Sequence, residues 1–467
     1  MLREKNILYL LLLLYLILGG LTIYYFDGTG DNGDSILHYL HARYAPLHPE
    51  VYFYHWSKPL YVLFASPFAQ FGFKGIKVFN LLLALGSIYL TYLISVLLKQ
   101  NNSVVGALIL ICTPLYYVLT FSGLTEILFG FWVCLALYFY LKDQFVLSLI
   151  LFSFLPYTRS EGLIILGIIA VFLIWDKKYR LLTYLLTGSI VYAIAGYFVY
   201  HGFLWVFTEI PYSKLSSQYG SGKLSHFVDQ LFYVVGPVIY LLLVIGLITL
   251  ITQGIKSNFN KKSALIVPVF FLTYFIAHSL FWWLGIFNSM GMKRVMIAIA
   301  PMISIIGVVG YNSTVNWIKN KREKASKVIA VIMVLAIGIF PFTHNKAAIN
   351  IKKDLDITPE QQLAKQVCVK ASSIHSTNAL YLISNPIFYK YLNLDPFNNQ
   401  TCKGISPENI NKLRKGDIVI WDNWFSVIEN NVTVEMLDNN SHLKLIKKLE
   451  CMQDGRMVEM RVYECAN

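Results

Sequence analysis

Long apolar segments separated by short polar connections dominate the first 343 residues of the chain. A helix needs about 20 apolar residues to cross the hydrocarbon core of a bilayer, and most of these segments approach that length. Placed across the bilayer in alternating directions, these segments predict an all-α polytopic membrane domain of about 11 transmembrane helices. The segments lie at residues 7–26, 76–98, 103–121, 125–141, 145–157, 161–175, 181–200, 227–251, 264–287, 295–317 and 328–343.

Composition and charge agree with this pattern and favour one orientation. Only 14% of the residues are charged, whereas soluble domains are about 25% charged. The net charge is +13, and basic residues concentrate in alternate connections, such as 177–180 and 319–327. Cytoplasmic loops carry such an excess, so we expect a multi-pass protein of the plasma membrane (in bacteria, the inner membrane) with a cytoplasmic N-terminus. The lipid bilayer accounts for the charge, and no nucleic-acid partner is predicted.

Polar residues and short alternating segments replace the apolar runs from about residue 344. The pattern predicts helices at 358–371 and 386–393, strands at 379–384 and 417–421, and a hairpin 443–450/457–464 turning at Asp454–Gly455. We therefore divide the chain into a membrane domain (1–343) and a small soluble α/β domain outside the membrane (344–467). The four cysteines of the second domain predict two disulfides of unspecified connectivity: Cys368, Cys402, Cys451 and Cys465.

The segment 145–175 is either one kinked helix or two short helices that meet near residues 157–162. A single crossing would place the downstream basic clusters outside, so the charge pattern favours two short helices. Arg159 and Glu161 then lie at or below the outer membrane surface, where ionisable side chains are costly and usually functional. Pairing of Arg159 with Glu161 or Glu126 for structure alone is the alternative.

The connection at 27–75 holds a dense cluster of ionisable and aromatic side chains, and its aromatic residues predict helices lying along the membrane surface. Asp27, Asp31 and Asp34 form either a solvated polar turn or a carboxylate at a cavity mouth that acts as a general base. His38 and His41 lie three residues apart, so a helix would place them on one face, as a metal pair needs, although hydrogen bonding to hydroxyl groups suits these rings equally well. A divalent ion is compatible with the loop, but we predict no metal and no other cofactor.

Several motifs, taken in order, resemble those of the GT-C superfamily of integral-membrane glycosyltransferases. The nearest likeness is to the protein O-mannosyltransferase and aminoarabinose-transferase branch. The chain departs from the pattern at Ser35, where many members have Glu after the Asp. The motifs are the Gly-Asp pair at 33–34, HWSKPLY at 55–61, SGLTEILF at 122–129, YTRSEGLII at 157–165 and GMKRVMIAIAP at 291–301.

The resemblance implies an inverting glycosyltransferase that moves a monosaccharide from a polyprenyl-phosphate donor to an acceptor hydroxyl outside the membrane. The acceptor would be a lipid, a glycan or a protein. Asp34 would take the proton from the acceptor hydroxyl. The cations expected at the departing phosphate are Lys58, Arg294 and Arg159. The side chains expected at the substrates are Asp31, His55, Glu126 and Glu161.

Two other functions stay open on sequence alone: a transporter or flippase for a lipid-linked sugar, and a non-catalytic subunit of a glycan assembly complex. A transporter would carry ionisable residues at mid-membrane in two repeated halves, and no such symmetry is visible. A non-catalytic subunit would leave Asp34 dispensable. In the soluble domain Trp421 and Trp424 are candidates for stacking on sugar rings, with a place in the core as the simpler interpretation.

Overall fold

The computed structural model describes residues 2–211, 217, 219–256, 262–374 and 379–466. Helices fill its first part. Short 3₁₀ segments lie at Pro49–Phe53, Leu155–Tyr157, Tyr179–Leu186, Lys293–Ile299 and Phe340–Phe342. The α-helices are α1 (Leu2–Tyr25), α2 (Asp34–Tyr44), α3 (Pro59–Ala69), α4 (Gly72–Leu97), α5 (Val104–Ile111), α6 (Pro114–Thr120), α7 (Glu126–Leu141), α8 (Phe145–Ser153), α9 (Gly162–Trp175), α10 (Thr187–Ala195), α11 (Tyr197–Tyr200), α12 (Trp205–Thr208), α13 (His226–Val235), α14 (Pro237–Lys256), α15 (Lys262–Leu284), α16 (Ala300–Lys319) and α17 (Glu323–Ile339).

Six helical stretches among the described residues are long and apolar enough to cross a membrane. The other predicted crossings coincide with shorter helices, so the predicted number of about 11 is not confirmed. Two of the predicted segments are divided at a proline, which cannot donate a backbone hydrogen bond. Pro114 starts α6, and Pro237 starts α14. The six stretches are Leu2–Tyr25, Gly72–Leu97, Pro237–Gly254, Leu265–Leu284, Lys293–Lys319 and Glu323–Phe342.

The segment 145–175 forms two short helices, as predicted. α8 ends at Ser153, a 3₁₀ turn follows, and α9 begins at Gly162. The chain turns closely here, because a Cβ at Gly162 would stand 2.4 Å from the carbonyl carbon of Leu155. The break between the helices carries Arg159 and Glu161.

The predicted helices of the first connection are also present, as α2 and α3. α2 packs on α3, and α3 packs on α4. The buried side chains of α2 and α3, such as Tyr39 and Tyr61, belong to a core that continues into residues 363–371 and the sheet. The two parts of the chain therefore share one packed interior at this place. The position of α2 and α3 relative to the bilayer stays a prediction.

A five-stranded sheet with helices forms the second part, and every helix and strand predicted there is found. The strand order is β2-β1-β3-β5-β4, with β2, β1 and β3 parallel and the β3–β5 and β5–β4 pairs antiparallel. The two-residue β2 was not predicted. The elements are α18 (Ile351–Asp354), α19 (Pro359–Ile374), β1 (Tyr381–Ile383), α20 (Pro386–Leu392), β2 (Cys402–Lys403), α21 (Pro407–Ile410), β3 (Ile418–Asp422), α22 (Val434–Asp438), β4 (Leu443–Gln453) and β5 (Arg456–Cys465). The division at residues 343/344 stays a prediction.

The prediction of two disulfides is wrong, because none of the four cysteines of this part, all of them described, forms a disulfide. Cys402 on β2 lies three strands from Cys465 and four from Cys451, about 14 and 19 Å at the usual strand spacing. Cys451 pairs with Val458, so Cys465 lies seven residues further along the hairpin, about 24 Å away. A disulfide needs Cα atoms within about 7 Å. Each of the three ways of joining four cysteines in two bonds includes one of these distant pairs.

Candidate functional site

Two adjoining cavities meet at the side chain of Arg294. The first, which we name the helical cavity, has a volume of about 570 Å³ and is lined by residues between Asp34 and Val295. The second, which we name the sheet cavity, has a volume of about 690 Å³. It lies between the loop at 29–32, α6, and residues 353–361, 422–425 and 453–458. Arg294 lines both cavities.

The helical cavity brings together six of the eight residues predicted from the sequence. They come from segments far apart in the chain, and the remaining wall is mostly aromatic and aliphatic, with Leu163, Ile164, Phe227 and Phe281 among its residues. Fixed charges in such a poorly hydrated space interact strongly. The six are Asp34, Lys58, Glu126, Arg159, Glu161 and Arg294.

Arg294 joins the two aspartates of the first connection. It lies in the 3₁₀ segment before α16, and its two terminal nitrogens donate hydrogen bonds to the carboxylates of Asp31 and Asp34. Its Nε lies 3.8 Å from Oε1 of Glu126. The guanidinium is therefore shared between three carboxylates.

Asp31 and Asp34 occupy different environments. Oδ1 of Asp31 accepts hydrogen bonds from the backbone N–H of Gly33 (3.0 Å) and of Ser35 (2.9 Å), which caps the start of α2. Asp31 lines the sheet cavity, whereas Asp34, the first residue of α2, lines the helical cavity. Burial raises the pKa of the Asp31 carboxyl. For Asp34, burial raises the pKa, but the charge and hydrogen bond of Arg294 and the charge of His38 together outweigh it. The net effect lowers the pKa, so this carboxylate is ionised at neutral pH.

Ser35, the position at which the chain departs from the motif of the resembling branch, makes two hydrogen bonds through its hydroxyl. Its hydroxyl donates to the carbonyl of Thr29 (2.5 Å) and accepts from the backbone N–H of Gly123 (2.6 Å). The space is tight, because a Cβ at Gly123 would stand 2.2 Å from the Ser35 carbonyl oxygen. The serine thus fastens the start of α2 to the turn before α7.

Lys58 brings a cation into the helical cavity from a strained backbone position. Its φ of 62° lies in the left-handed region, which non-glycine residues adopt at a cost, often at functional sites. Nζ lies 3.5 Å from Oγ of Ser160, and among the described residues no carboxylate oxygen lies within 4.0 Å of it. Burial lowers its pKa to about 8, against the opposing effect of Glu161. At neutral pH this ammonium carries a charge that no close ion pair with another described residue compensates.

Arg159 is already neutralised by two carboxylates. Its Nη1 lies 2.9 Å from Oε1 of Glu126, and its Nη2 donates to Oε1 of Glu161 at 2.8 Å. Nε2 of His278 lies 3.7 Å from the same oxygen of Glu161. The alternative considered from the sequence, that Arg159 pairs with Glu161 or Glu126, is therefore met by both glutamates. Of the three predicted phosphate-binding cations, only Lys58 lacks a close carboxylate among the described residues.

Among the histidines, the structure corrects the sequence prediction. His55 lines neither cavity; its ring packs against Tyr157 and Trp205, with centroid distances of 5.9 and 5.1 Å. Its predicted contact with substrate has no support from this position. His38 and His278 line the helical cavity instead. The signals that could have found them are the one-turn spacing from Asp34 to His38 and a lone histidine within the apolar helix α15.

No arrangement of metal ligands is present among the described residues, where groups of three or more His, Cys, Asp and Glu side chains with suitable geometry are absent. His38 and His41 both pack against Trp56, at centroid distances of 5.1 and 5.6 Å. Nδ1 of His41 is hydrogen-bonded to the hydroxyl of Ser57. The two rings are thus engaged in packing and hydrogen bonding.

The second part of the chain fastens the loop that carries the aspartates. Nε2 of Gln361, on α19, donates to Oγ1 of Thr29 (2.6 Å) and to Oδ1 of Asn32 (2.7 Å). The backbone N–H of Gly28 donates to the carbonyl of Leu355 (3.1 Å). These contacts, which we name the α19 clamp, hold the loop at 28–32 between the helices and the sheet.

The overall structure is similar to two solved structures. They are crystal structures of ArnT from Cupriavidus metallidurans, one bound to undecaprenyl phosphate and one in the apo state. Each has a TM-score of 0.63 and 10% sequence identity, with 98% of this chain and 98% of the ArnT chain covered. No family model and no curated protein sequence matches the chain. The comparison confirms that the chain has the fold of these ArnT structures, as the resemblance predicted.

Proposed function

We propose that this chain, which has the ArnT fold, is an inverting membrane glycosyltransferase that uses a sugar linked to polyprenyl phosphate. The ArnT structure that holds undecaprenyl phosphate supports this class of donor. One observation of this chain carries the proposal: the carboxylate of Asp34 and the ammonium of Lys58 line the same cavity, whose remaining wall is largely apolar. Such a cavity suits a ligand that joins a phosphate to a hydrocarbon tail.

In the proposed reaction, the acceptor oxygen attacks the anomeric carbon of the sugar. The bond between that carbon and the phosphate oxygen breaks, and its electron pair leaves with the lipid phosphate. The acceptor hydroxyl loses its proton to Asp34, which is ionised and therefore able to accept it. Because attack and departure occur on opposite sides of the carbon, the configuration of the sugar inverts.

The departing phosphate gains negative charge and needs a fixed cation nearby. Lys58 is the best candidate, since its ammonium has no carboxylate within 4.0 Å among the described residues. Arg294 lies in the same cavity but is hydrogen-bonded to Asp31 and Asp34. In this proposal Lys58 is the principal phosphate-binding cation, and Arg159 with its two glutamates forms part of the wall of the helical cavity.

The proposal places this chemistry on the outer side of the bacterial inner membrane, with the N-terminus in the cytoplasm. A transporter is less well supported, because the ionisable side chains collect at helix ends and breaks: at the start of α2, the start of α7, the break between α8 and α9, and the segment before α16.

The test compares sugar transfer by the purified protein and by Asp34→Asn, with several polyprenyl-phosphate sugars as donors. Losing a general base should lower turnover by about 100- to 10,000-fold. Asp27→Asn is the matched control, because Asp27 lies in the same loop but is exposed and pairs with Lys74 at 3.2 Å. Full activity of Asp34→Asn would refute the role of this carboxylate. Transfer from a nucleotide-sugar and from no lipid donor would refute the proposed donor class.

A further inference from the structure

The sheet cavity has no role in the reaction as described so far, yet it reaches the same guanidinium. Asp31, which lines the sheet cavity, and Asp34, which lines the helical cavity, bind this same group, and the two cavities share Leu124, Met290 and Met292 in their linings. A transferase must bring two substrates to one point. The helical cavity has the uncompensated cation that a phosphate needs, which leaves the sheet cavity for the second substrate.

The charges of the sheet cavity disfavour an anionic ligand. Six carboxylates and four cations line it. Two of the cations are occupied, because Arg294 pairs with Asp31 and Lys353 pairs with Asp454 at 2.6 Å. Carboxylates remain in excess; they repel phosphates and other acids but accept hydrogen bonds from hydroxyl groups. The residues left after these two pairs are Asp354, Asp356, Glu360, Asp422, Lys293 and Arg456.

Trp424 offers a rigid aromatic surface in this cavity. Of the two tryptophans considered from the sequence, Trp421 is buried and donates its Nε1–H to the carbonyl of Val432 (2.8 Å), whereas Trp424 is 39% exposed and lines the cavity. The guanidinium carbon of Arg456 lies 5.2 Å from the centre of the Trp424 ring. An exposed indole face held next to hydroxyl-binding groups is suited to the apolar face of a sugar ring.

The turn that carries Trp424 is fixed before any ligand arrives. The carboxylate of Asp422 accepts the backbone N–H of Trp424 (3.3 Å) and of Phe425 (2.9 Å). Nδ2 of Asn423 donates to the carbonyl of Met457 (2.9 Å), which ties the turn to β5. A surface ordered in this way loses little conformational entropy on binding.

The opposite wall of the sheet cavity is apolar. Leu115, Val118 and Leu119 of α6 line it together with Met290 and Met292. A ligand spanning the cavity would therefore place hydrocarbon against α6 and polar groups against the sheet. This division matches a sugar carried on a lipid better than a peptide segment, whose backbone would need hydrogen-bond partners on both walls.

We propose that the sheet cavity binds the acceptor, and that this acceptor is the uncharged saccharide of a glycolipid, stacked on Trp424. The inference rests on the proposed transferase function and names its second substrate. It separates the two substrates by charge: the anionic donor enters the helical cavity with Lys58, and the uncharged acceptor enters the sheet cavity.

The experiment measures binding to the full-length protein in nanodiscs of zwitterionic phosphatidylcholine. The probes are an octyl glycoside of an uncharged hexose trisaccharide, the same glycoside ending in glucuronate, a Ser/Thr-containing peptide, and undecaprenyl phosphate. We expect the uncharged glycoside to bind more tightly than the acidic glycoside and the peptide. Trp424→Ala should weaken its binding about tenfold, and Trp424→Phe should retain most of the affinity. Met452→Ala is the control, because Met452 is exposed on β4 and outside the cavity lining, and it should change nothing.

A second pair of measurements separates this inference from the proposed function. Lys58→Met should weaken the binding of undecaprenyl phosphate and leave the uncharged glycoside unaffected, while Trp424→Ala should do the reverse. Preference for the acidic glycoside or the peptide, or an unchanged affinity in Trp424→Ala, would overturn the acceptor assignment alone. If the native protein does not bind undecaprenyl phosphate selectively, or if Lys58→Met leaves the binding of undecaprenyl phosphate unchanged, the proposed donor site is overturned.

Discussion

The α19 clamp makes a quantitative prediction for Gln361→Leu. Leucine has nearly the volume of glutamine but cannot donate, so Oγ1 of Thr29 and Oδ1 of Asn32 lose the bonds that they accept at 2.6 and 2.7 Å. Each lost bond costs about 1 kcal/mol, which sums to about 2 kcal/mol for the docked loop. At about 1.4 kcal/mol for each factor of ten, this lowers the equilibrium constant for loop docking about 30-fold, and turnover that requires the docked loop falls by up to that factor.

The assay measures turnover with a saturating polyprenyl-phosphate donor, together with the affinity for undecaprenyl phosphate. Turnover should fall while this affinity stays within about threefold, because Gln361 lines the sheet cavity and not the helical cavity. Gln362→Leu is the matched control: it is the same change one residue later, at an exposed position of α19.

A further control separates the clamp from the cap of α19. Oγ1 of Thr358 accepts the backbone N–H of Gln361 at 3.2 Å, and Oε1 of Gln361 accepts the N–H of Thr358 at 3.4 Å. Thr358→Ala disturbs this capping box but leaves the amide of Gln361 in place. Equal turnover in Gln361→Leu and Gln362→Leu, or an equal loss in Thr358→Ala, would refute the reasoning.

Three further predictions concern stability. Burial lowers the pKa of His38 to about 3 and of His55 to about 4, so between pH 6.5 and about 4 the unfolded chain binds protons that the folded chain does not. The free energy of unfolding should therefore fall by about 1.4 kcal/mol for each histidine and each unit of decreasing pH. His55→Asn should flatten a plot of the thermal midpoint against pH, and a slope identical to that of the native protein would contradict this. Gly28→Ala should lower the free energy of unfolding by about 1–3 kcal/mol and lower activity, because its Cβ would stand 2.5 Å from the carbonyl oxygen of Asp356. Gly20→Ala is the control: its Cβ would meet no atom within 4 Å, so the same melting and transfer assays should show no change. Because no disulfide joins the described cysteines, a reducing agent should leave the melting curve unchanged; a lowered midpoint would show that a disulfide exists.

Local patterns predicted the elements well because each depends on residues close in sequence. Apolar runs marked the helices, and alternation with Asp454–Gly455 marked the hairpin, which is found as β4 and β5. The number of full crossings was harder to predict, since proline at positions 114 and 237 divides runs that hydropathy alone leaves continuous.

The site was predicted as a set of residues but not as a geometry. Motif order placed Asp34 and Lys58 correctly in one cavity, but no pattern distinguishes His38, which lines it, from His55, which packs behind it. The sheet cavity was not predicted, because its walls come from residues near 30, 118, 290, 356 and 424, and only the tertiary fold brings them together. The disulfide prediction relied on composition and compartment, and the order of the strands overrides it.

The α19 clamp also limits how this protein can be shortened. A fragment ending at residue 343 would keep every apolar helix that could enter the bilayer, so it would still insert. It would lose Leu355 and Gln361, however, and the backbone between α1 and α2 would then exchange its fixed partners for water. Such a fragment should be inert, with its carboxylates present but no longer held in position.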